Sequence, residues 1–456
     1  MLRTALMEAW QPAFMGWPDA KSYIDVAHGS LFGNVLRPAG YPLFLWVLDV
    51  WHPTLAWVVA VNHLLGLATA AVLFAVLWRA GAPPALGLVA AAVVALNGDT
   101  AFVEHSPLSE PLFTFLVAVA LYGAVRAQER CGAGWPLAVG ALLAYATTVR
   151  VVGAVLLPLF GVWLLVASHG TLRRRARTAG LAALAAVAVL GAYAVAEEAS
   201  VGAVGLSRHG AWHLYARVAG FADCSRFRPP PGTRVLCETG PRAARGTVDE
   251  YLFQGAHSPA YRAFGDPFSS SPQHVAAIEA FARAAIVHQP LDYLREVGGD
   301  SLRYVAPDAF RDYGGGPSYA DLVGAPILRH PLYGAQGLWS ARAYYGWGPG
   351  GFIWDPPVFR PLLGYEAATR IQGPLFVVLV LLSLSGPLVL RGRMRAAAAL
   401  LALTAWALLV VPVATLEFSA RSAVPGFGVL AGAAALGGWG LVPALRRVRV
   451  RAPVRV

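Results

Sequence analysis

Apolar residues in this chain are gathered into long runs separated by short basic turns, and that spacing predicts membrane helices. A spanning helix needs about 20 predominantly apolar residues. Runs of this kind cover residues 55–78, 85–102, 107–125, 181–196, 375–390, 396–416 and 422–441. The run 135–167 is too long for one helix and just long enough for two short ones, with Arg150 near its middle. Residues 41–50, closed by Asp49 and His52-Pro53, form a short apolar piece expected at the interface or half inserted. The pattern predicts an all-α polytopic membrane protein, a helical bundle of about nine membrane segments.

The turns orient this bundle. Arg79, Arg126 and Arg130, Arg173 to Arg175 with Arg177, Arg391, Arg393 and Arg395, and the tail 446–455 alternate with acidic or aromatic loops. By the positive-inside rule the basic turns, and the C-terminus with them, are expected on the cytoplasmic side of the cell membrane. Residues 17–42, 97–109 and 201–371, the turn near Arg150 and the turn 417–421 then face out. Three units follow: 1–200, membrane bundle with outer loops carrying the candidate catalytic residues; 201–370, an extracytoplasmic insert of mixed helix and loop; and 371–456, C-terminal helices with a basic tail. Within the insert, Ser271-Pro272 predicts a helix start, 273–288 an amphipathic helix ended by Gln289-Pro290, and 292–304 a second helix. Residues 314–316 and 344–357 read as loops, rich in aromatics, suited to the headgroup zone or to stacking on a sugar.

Composition agrees. The chain is 57% hydrophobic and 13% charged, against roughly 45–50% and 25% in soluble domains. The formal charge of +11 is accounted for by the basic turns, which removes the case for a nucleic-acid partner. The first residues contain Arg3 and Glu8 and no continuous apolar stretch, so no cleavable signal peptide is expected. Of the three cysteines, Cys224 and Cys237 fall in the outer insert. There they suggest one disulfide, worth about 3 kcal/mol in the chain-entropy picture, the alternative being two free thiols. Cys131 falls on the reducing side.

The outer loops hold the candidate chemistry. Residues 17–42 carry Asp19, Asp25, Arg37 and Tyr41; residues 97–110 carry Asp99, Glu104, His105 and Glu110; Arg150 and Arg421 stand near apolar boundaries. Carboxylates beside arginines at a lipid edge suit a reaction between an anionic lipid and a polar acceptor. The carboxylate takes a proton from the attacking hydroxyl, and the arginines stabilise the departing phosphate. Each residue also has a blander reading: Asp19 after Pro18 as a helix cap, Glu110 as a first-turn acid, the arginines as snorkelling interface residues. His209 and His213, four apart, have metal-ligand spacing but no third ligand follows convincingly. No cofactor is expected, with a divalent metal left open. A transporter or flippase for a lipid-linked or polar envelope substrate would also place charges in a membrane cavity, although no internal repeat supports one. A non-catalytic envelope scaffold is a third reading.

Four stretches together resemble the GT-C glycosyltransferases, the polyprenyl-phosphate-sugar-dependent membrane enzymes that include protein O-mannosyltransferases and the aminoarabinose transferase of lipid A. They are PDAKSYIDVA with LRPAGYPLFL, EHSPLSEPLFTFLVAVAL, GALLAYATTVRVVGAVLLP and EFSARSAVPGFGVLAGAAAL. The resemblance spans most of the membrane part. It implies a GT-C-like bundle and an inverting transfer of a sugar from a lipid-linked donor to a glycan, protein or lipid acceptor. Asp19 would be the general base. Arg150, Arg421 and Arg37 would meet the donor phosphate, and Glu104, His105, Glu110 and Tyr41 the acceptor or sugar. Two departures stand out: Ala20 follows Asp19 where the family often has Asp-Glu, and only about fifteen mixed residues precede the Asp19 loop where the family has a membrane helix.

Overall fold

The computed structural model describes residues 1–456 except 16, 35, 36, 130, 131, 203, 204, 207, 208, 254, 256, 257, 307–341, 346–352, 355 and 452–456. Arg130, Cys131, the 314–316 loop, most of the 344–357 run and the end of the basic tail lie outside the described residues. Three short helices lead: α1 (Leu2–Ala9), α2 (Pro18–His28) and α3 (Gly40–Trp51). Then come α4 (Leu55–Arg79), α5 (Pro84–Leu96), α6 (Gly98–Glu104), α7 (Glu110–Glu129), α8 (Gly134–Val149), a 3-10 turn at Val151–Val155, α9 (Leu156–Ala167) and α10 (Leu172–Val201). The insert contributes α11 (Gly210–Ala219), α12 (Val248–Phe253), α13 (Pro259–Phe264), α14 (Pro272–His288) and α15 (Pro290–Leu302). The chain returns through α16 (Pro356–Thr369), α17 (Gly373–Val389), α18 (Gly392–Thr415) and α19 (Ala420–Arg451). One small antiparallel ribbon pairs Trp10 with Trp354 and Gln11 with Ile353.

This is an all-α, multi-pass membrane protein. Among the described residues, α4, α7, α10, α18 and residues Ala420–Pro443 of α19 are long and apolar enough to cross a membrane. Two bent pairs, α5 with α6 (54°) and α16 with α17 (45°), raise the number to as many as seven. α8 and residues 151–167, the two short segments included in the expectation of about nine, are apolar but shorter than these. The run 85–102 is not one helix. Asn97 leaves the helical region (φ −68°, ψ 126°) and its side chain accepts from Thr100 N at 2.9 Å, so a capping residue breaks an otherwise continuous apolar run. Arg150, expected near the turn between two short helices, occupies a similar break (φ −144°, ψ 124°) between α8 and the 3-10 turn.

Tight helix contacts use glycine where backbones meet, as small residues do between membrane helices. A Cβ on Gly437 of α19 would come within 1.8 Å of the Leu382 carbonyl oxygen on α17, and one on Gly140 of α8 within 1.9 Å of the Ala182 carbonyl on α10. In the insert, Trp212, Tyr215, Phe221, Ile278 and Phe281 form a second core, with the Cys224–Cys237 disulfide against its edge. α14 starts at Ser271, whose Oγ accepts from His274 N at 3.2 Å.

Polar contacts tie the insert to the membrane helices. Tyr293 Oη donates to the Ala414 carbonyl (2.8 Å) and Tyr304 Oη to the Leu409 carbonyl (3.0 Å). Asp249 of α12 and Glu417, between α18 and α19, hydrogen-bond carboxyl to carboxyl. Such a pair must hold a proton. Burial first, then Asp249 and Asp300, push Glu417 above its ordinary value of 4.5. A raised carboxyl pKa stabilises fully below that ordinary value and loses its contribution as pH rises through the folded one. Glu417→Gln, which keeps a donor without the charge, is expected to flatten the loss of thermal stability between about pH 5 and 8, by about 1–3 kcal/mol. Fluorescence-detected melting in detergent reads this; identical pH slopes for variant and wild type would rule out a shared proton.

Candidate active site

Asp19 lies in the first turn of α2, which opens with Pro18 and carries no side-chain cap bond. Its carboxylate is therefore not spent on its own helix. Arg37 Nη2 bonds Asp19 Oδ1 and Arg421 Nη2 bonds Asp19 Oδ2. Arg37 Nε also donates to Ser22 Oγ at 2.9 Å, and its guanidinium stands 5.2 Å from the Tyr23 ring centre. Arg421, in the first turn of α19, turns its Nε to Glu110 Oε1 (3.1 Å) and lies 4.9 Å from the Trp17 ring centre. Arg150 Nη1 reaches the same Glu110 oxygen at 2.6 Å and Ser109 Oγ at 3.3 Å. Ser109 Oγ in turn sits 2.9 Å from Tyr23 Oη.

Residues separated by up to 402 positions thus form one connected network of three guanidiniums and two carboxylates. Three charges against two leave one positive charge in excess, which suits an anion. The arginine side chains keep 15–23% of their surface open while Glu110 keeps 1%, so a ligand meets the arginines first. Burial alone would raise the Asp19 pKa, but Arg37 and Arg421, helped by Arg150, hold it well below the usual carboxylate range. Arg37, which burial alone would lower, is raised by Asp19. Both ends of the pair are therefore ionised at neutral pH.

Other predicted site residues are placed elsewhere. Tyr41 is fully buried with its ring edge-on to Tyr23, 4.9 Å between centres, so it backs Tyr23 instead of presenting itself to a sugar. Asp25 pairs with Lys21, and Asp99 lies 3.6 Å from Arg370. His209 and His213 meet edge to face at 4.7 Å. No metal-holding group of three His, Cys, Asp or Glu side chains occurs among the described residues. His213 instead feels the charge of the arginine network: burial and Arg37 push it down to about 4, against the opposing pull of Asp19. The insert therefore brings a neutral imidazole within the field of the ion pair.

Glu104 and His105 are not in this network. Both are 1% exposed and belong to a second one that fastens the start of the chain. Arg3 grips Glu104 through Nε (2.7 Å) and Nη2 (2.9 Å), and its Nη1 donates to the Ala95 carbonyl (2.7 Å) at the α5–α6 break. His63 Nδ1 is 3.0 Å from Glu104 Oε2, His63 Nε2 is 3.2 Å from His105 Nδ1, and His105 Nε2 is 2.7 Å from the Trp10 carbonyl. That carbonyl can only accept, so His105 carries its proton on Nε2 and His63 donates from its own Nε2. His63 Nδ1 then faces the carboxylate, and the contact closes only if one further proton lies between His63 and Glu104. Gly66 makes room, since a Cβ there would fall 1.7 Å from Glu104 Oε1. A cavity of about 20 Å³, lined by both Glu104 and Glu110, lies between the two networks; it has room for about one water.

Sequence reading missed Arg3, His63, Ser109, Tyr23 and Trp17. For His63 a signal existed: it follows Asn62 in the middle of an apolar run, where polar residues are costly and functional by default. Hydroxyls and rings such as Ser109 and Tyr23 carry no such mark.

No family model matches the chain, and no curated protein sequence matches it. Among solved structures it is similar to the Archaeoglobus fulgidus oligosaccharyltransferase tethered to an acceptor peptide containing the NVT sequon. The identity is 11% and the TM-score 0.43, over 99% of this chain and 49% of that one; this chain thus spans about half the length of that structure. It is also similar to ArnT from Cupriavidus metallidurans bound to undecaprenyl phosphate (14% identity, TM-score 0.37, 98% of this chain and 78% of that one). The apo form of the same ArnT gives 15% identity and a TM-score of 0.35, over 95% of this chain and 76% of that one. Superpositions this loose define no residue correspondence, and the roles below rest on this chain's own geometry.

Proposed function

We propose that the protein is an inverting membrane glycosyltransferase that moves a sugar from a polyprenyl-phosphate donor to a hydroxyl acceptor outside the cytoplasm. The observation that carries this reading is the five-membered charge network of Asp19, Arg37, Arg421, Glu110 and Arg150, open on its arginine side.

In the resting state Asp19 is a poor base, because both its oxygens are held by guanidiniums. A donor phosphate entering the network competes for Arg37 and Arg421. As they turn to it, Asp19 loses its partners and regains basicity. The acceptor hydroxyl then attacks the anomeric carbon and the bond from that carbon to the phosphate oxygen breaks. The electron pair leaves on the lipid phosphate, where the arginines receive it, and the acceptor proton passes to Asp19. Glu110 keeps Arg150 and Arg421 in place, and Ser109 and Tyr23 line the floor. Exchange of partners thus links donor binding to activation of the base.

The test is incubation of the purified, reconstituted protein with a panel of polyprenyl-phosphate sugars, following sugar release and transfer. At least one donor is expected to be consumed. A folded protein that turns over none of them, with water or with added hydroxyl acceptors, overturns the proposal.

A further inference from the structure

We propose that α15 is a membrane-inserted interfacial helix, its leucine face lying among the acyl chains of the leaflet on the insert's side. The inference is independent of the proposed reaction and rests on three sides of one helix.

At about 100° per residue, Leu291, Leu294, Gly298 and Leu302 share an arc of about 80° on α15. The three leucines are 68%, 60% and 67% exposed. Asp292 and Asp300 lie on another side and are bound by the insert, Asp292 by Arg226 (2.5 Å) and Arg242 (3.1 Å), Asp300 by Arg217 (2.6 Å). The third side, with Tyr293 and Val297, turns inward to the protein core. One flank thus meets protein, one meets the polar insert, and the leucine flank stays exposed among the described residues.

What covers it follows from depth. Tyr293 bonds the carbonyl of Ala414, one residue before the end of α18, whereas Tyr304, just past α15, bonds that of Leu409. Five residues of helix separate the two carbonyls, about 7.5 Å along the α18 axis. The chain therefore descends alongside a spanning helix as α15 proceeds. At the foot, Tyr304, Val305, Phe376, Val380 and Trp406 line an apolar cavity of about 190 Å³ between α17 and α18. Those two helices present exposed apolar side chains of their own, Leu381 (61%) and Leu403 (52%). The leucine face is continuous with surfaces that already face lipid, which favours acyl chains over a protein partner. Arg295, 80% exposed beside the leucines and loosely paired with Asp292 at 3.9 Å, has the long stem that lets a cation reach the headgroup phosphates.

The test uses single cysteines in a Cys131→Ser background, with the Cys224–Cys237 disulfide left intact. Leu294→Cys and Leu302→Cys, with Glu296→Cys as the control on the polar side, are spin-labelled and reconstituted into phosphatidylethanolamine–phosphatidylglycerol vesicles. Collisions with oxygen and with a water-soluble nickel chelate are then compared. Labels at 294 and 302 are expected to collide several-fold more with oxygen relative to nickel than the label at 296, and 302 to read deeper than 294. Nickel access at 294 and 302 equal to that at 296 overturns the proposal. So does shielding from both reagents, which would assign the face to a protein partner or a second copy. Should either variant fail to fold, Leu291→Cys on the same arc reads the same outcome.

Discussion

Asp19→Asn is expected to lower sugar transfer by about 10²–10⁴-fold, the usual worth of a positioned proton acceptor, in a protein that still folds and inserts. Asparagine keeps an oxygen for one arginine but cannot take the acceptor proton. It also removes the charge that competes with the donor phosphate, so the donor KM is expected to stay level or fall while kcat collapses. Glu110→Gln should show the opposite split, because it loosens Arg150 and Arg421 and so raises the donor KM. Steady-state kinetics over a donor series separates the two. Wild-type turnover by Asp19→Asn, together with loss of kcat in Glu110→Gln, would transfer the role of base to Glu110. The pH dependence has a definite sign. A carboxyl held below its ordinary value of 3.8 stabilises the fold above that value and loses the contribution only as pH falls through the folded one. Titration of the resting Asp19 therefore contributes no change in stability between about pH 5 and 8, and an acid limb seen in kcat over that range would belong to the donor-bound state.

Arg3→Met is expected to destabilise the protein by about 3–5 kcal/mol, the cost of removing one partner from a buried ion pair. Glu104 would lose both its guanidinium bonds, and the Ala95 carbonyl would lose a donor. Replacing both partners, Arg3→Met with Glu104→Gln, is expected to recover much of the loss, because no uncompensated charge then remains. Thermal and denaturant unfolding in detergent, arranged as a double-mutant cycle, measures the coupling. A single variant as stable as wild type would mean that the Arg3–Glu104 pair contributes nothing net to stability. The same variant tests whether the second network positions the first. Phe14 N donates to the His105 carbonyl at 2.9 Å, three residues before Trp17, whose ring lies against Arg421. A loss of turnover beyond the loss of folded protein would show that the Arg3 anchor also sets the position of Asp19.

Much of the architecture was legible because it depends on local pattern. Apolar runs marked the membrane helices to within about ten residues at each end, and Ser271-Pro272 marked the start of α14 through its cap. The reading failed where one polar residue interrupts a run. Asn97 breaks a helix that hydropathy averages into a longer span, whereas the division of 135–167 into two short helices about Arg150 was legible. The site was half legible. Asp19, Glu110, Arg37, Arg150 and Arg421 were all candidates and all meet, whereas Glu104, His105 and Tyr41, equally plausible by type and loop, are buried in other contacts.

The order of the elements, the membrane character and the identity of the charged residues near the apolar boundaries follow from the sequence alone, because hydrophobic period and capping act over a few residues. Which charges share a site is a different kind of fact. Asp19 and Arg421 meet across 402 positions because α19 packs beside α17 and α18 and returns its first turn to α2. No spacing rule reaches that far. Glu104, one helix break away from Glu110, is claimed by Arg3 at the far side of a cavity with room for about one water,. Charge pairing in a low-dielectric interior is decided by which partner the packing brings within a few ångströms, and only the tertiary structure makes that choice.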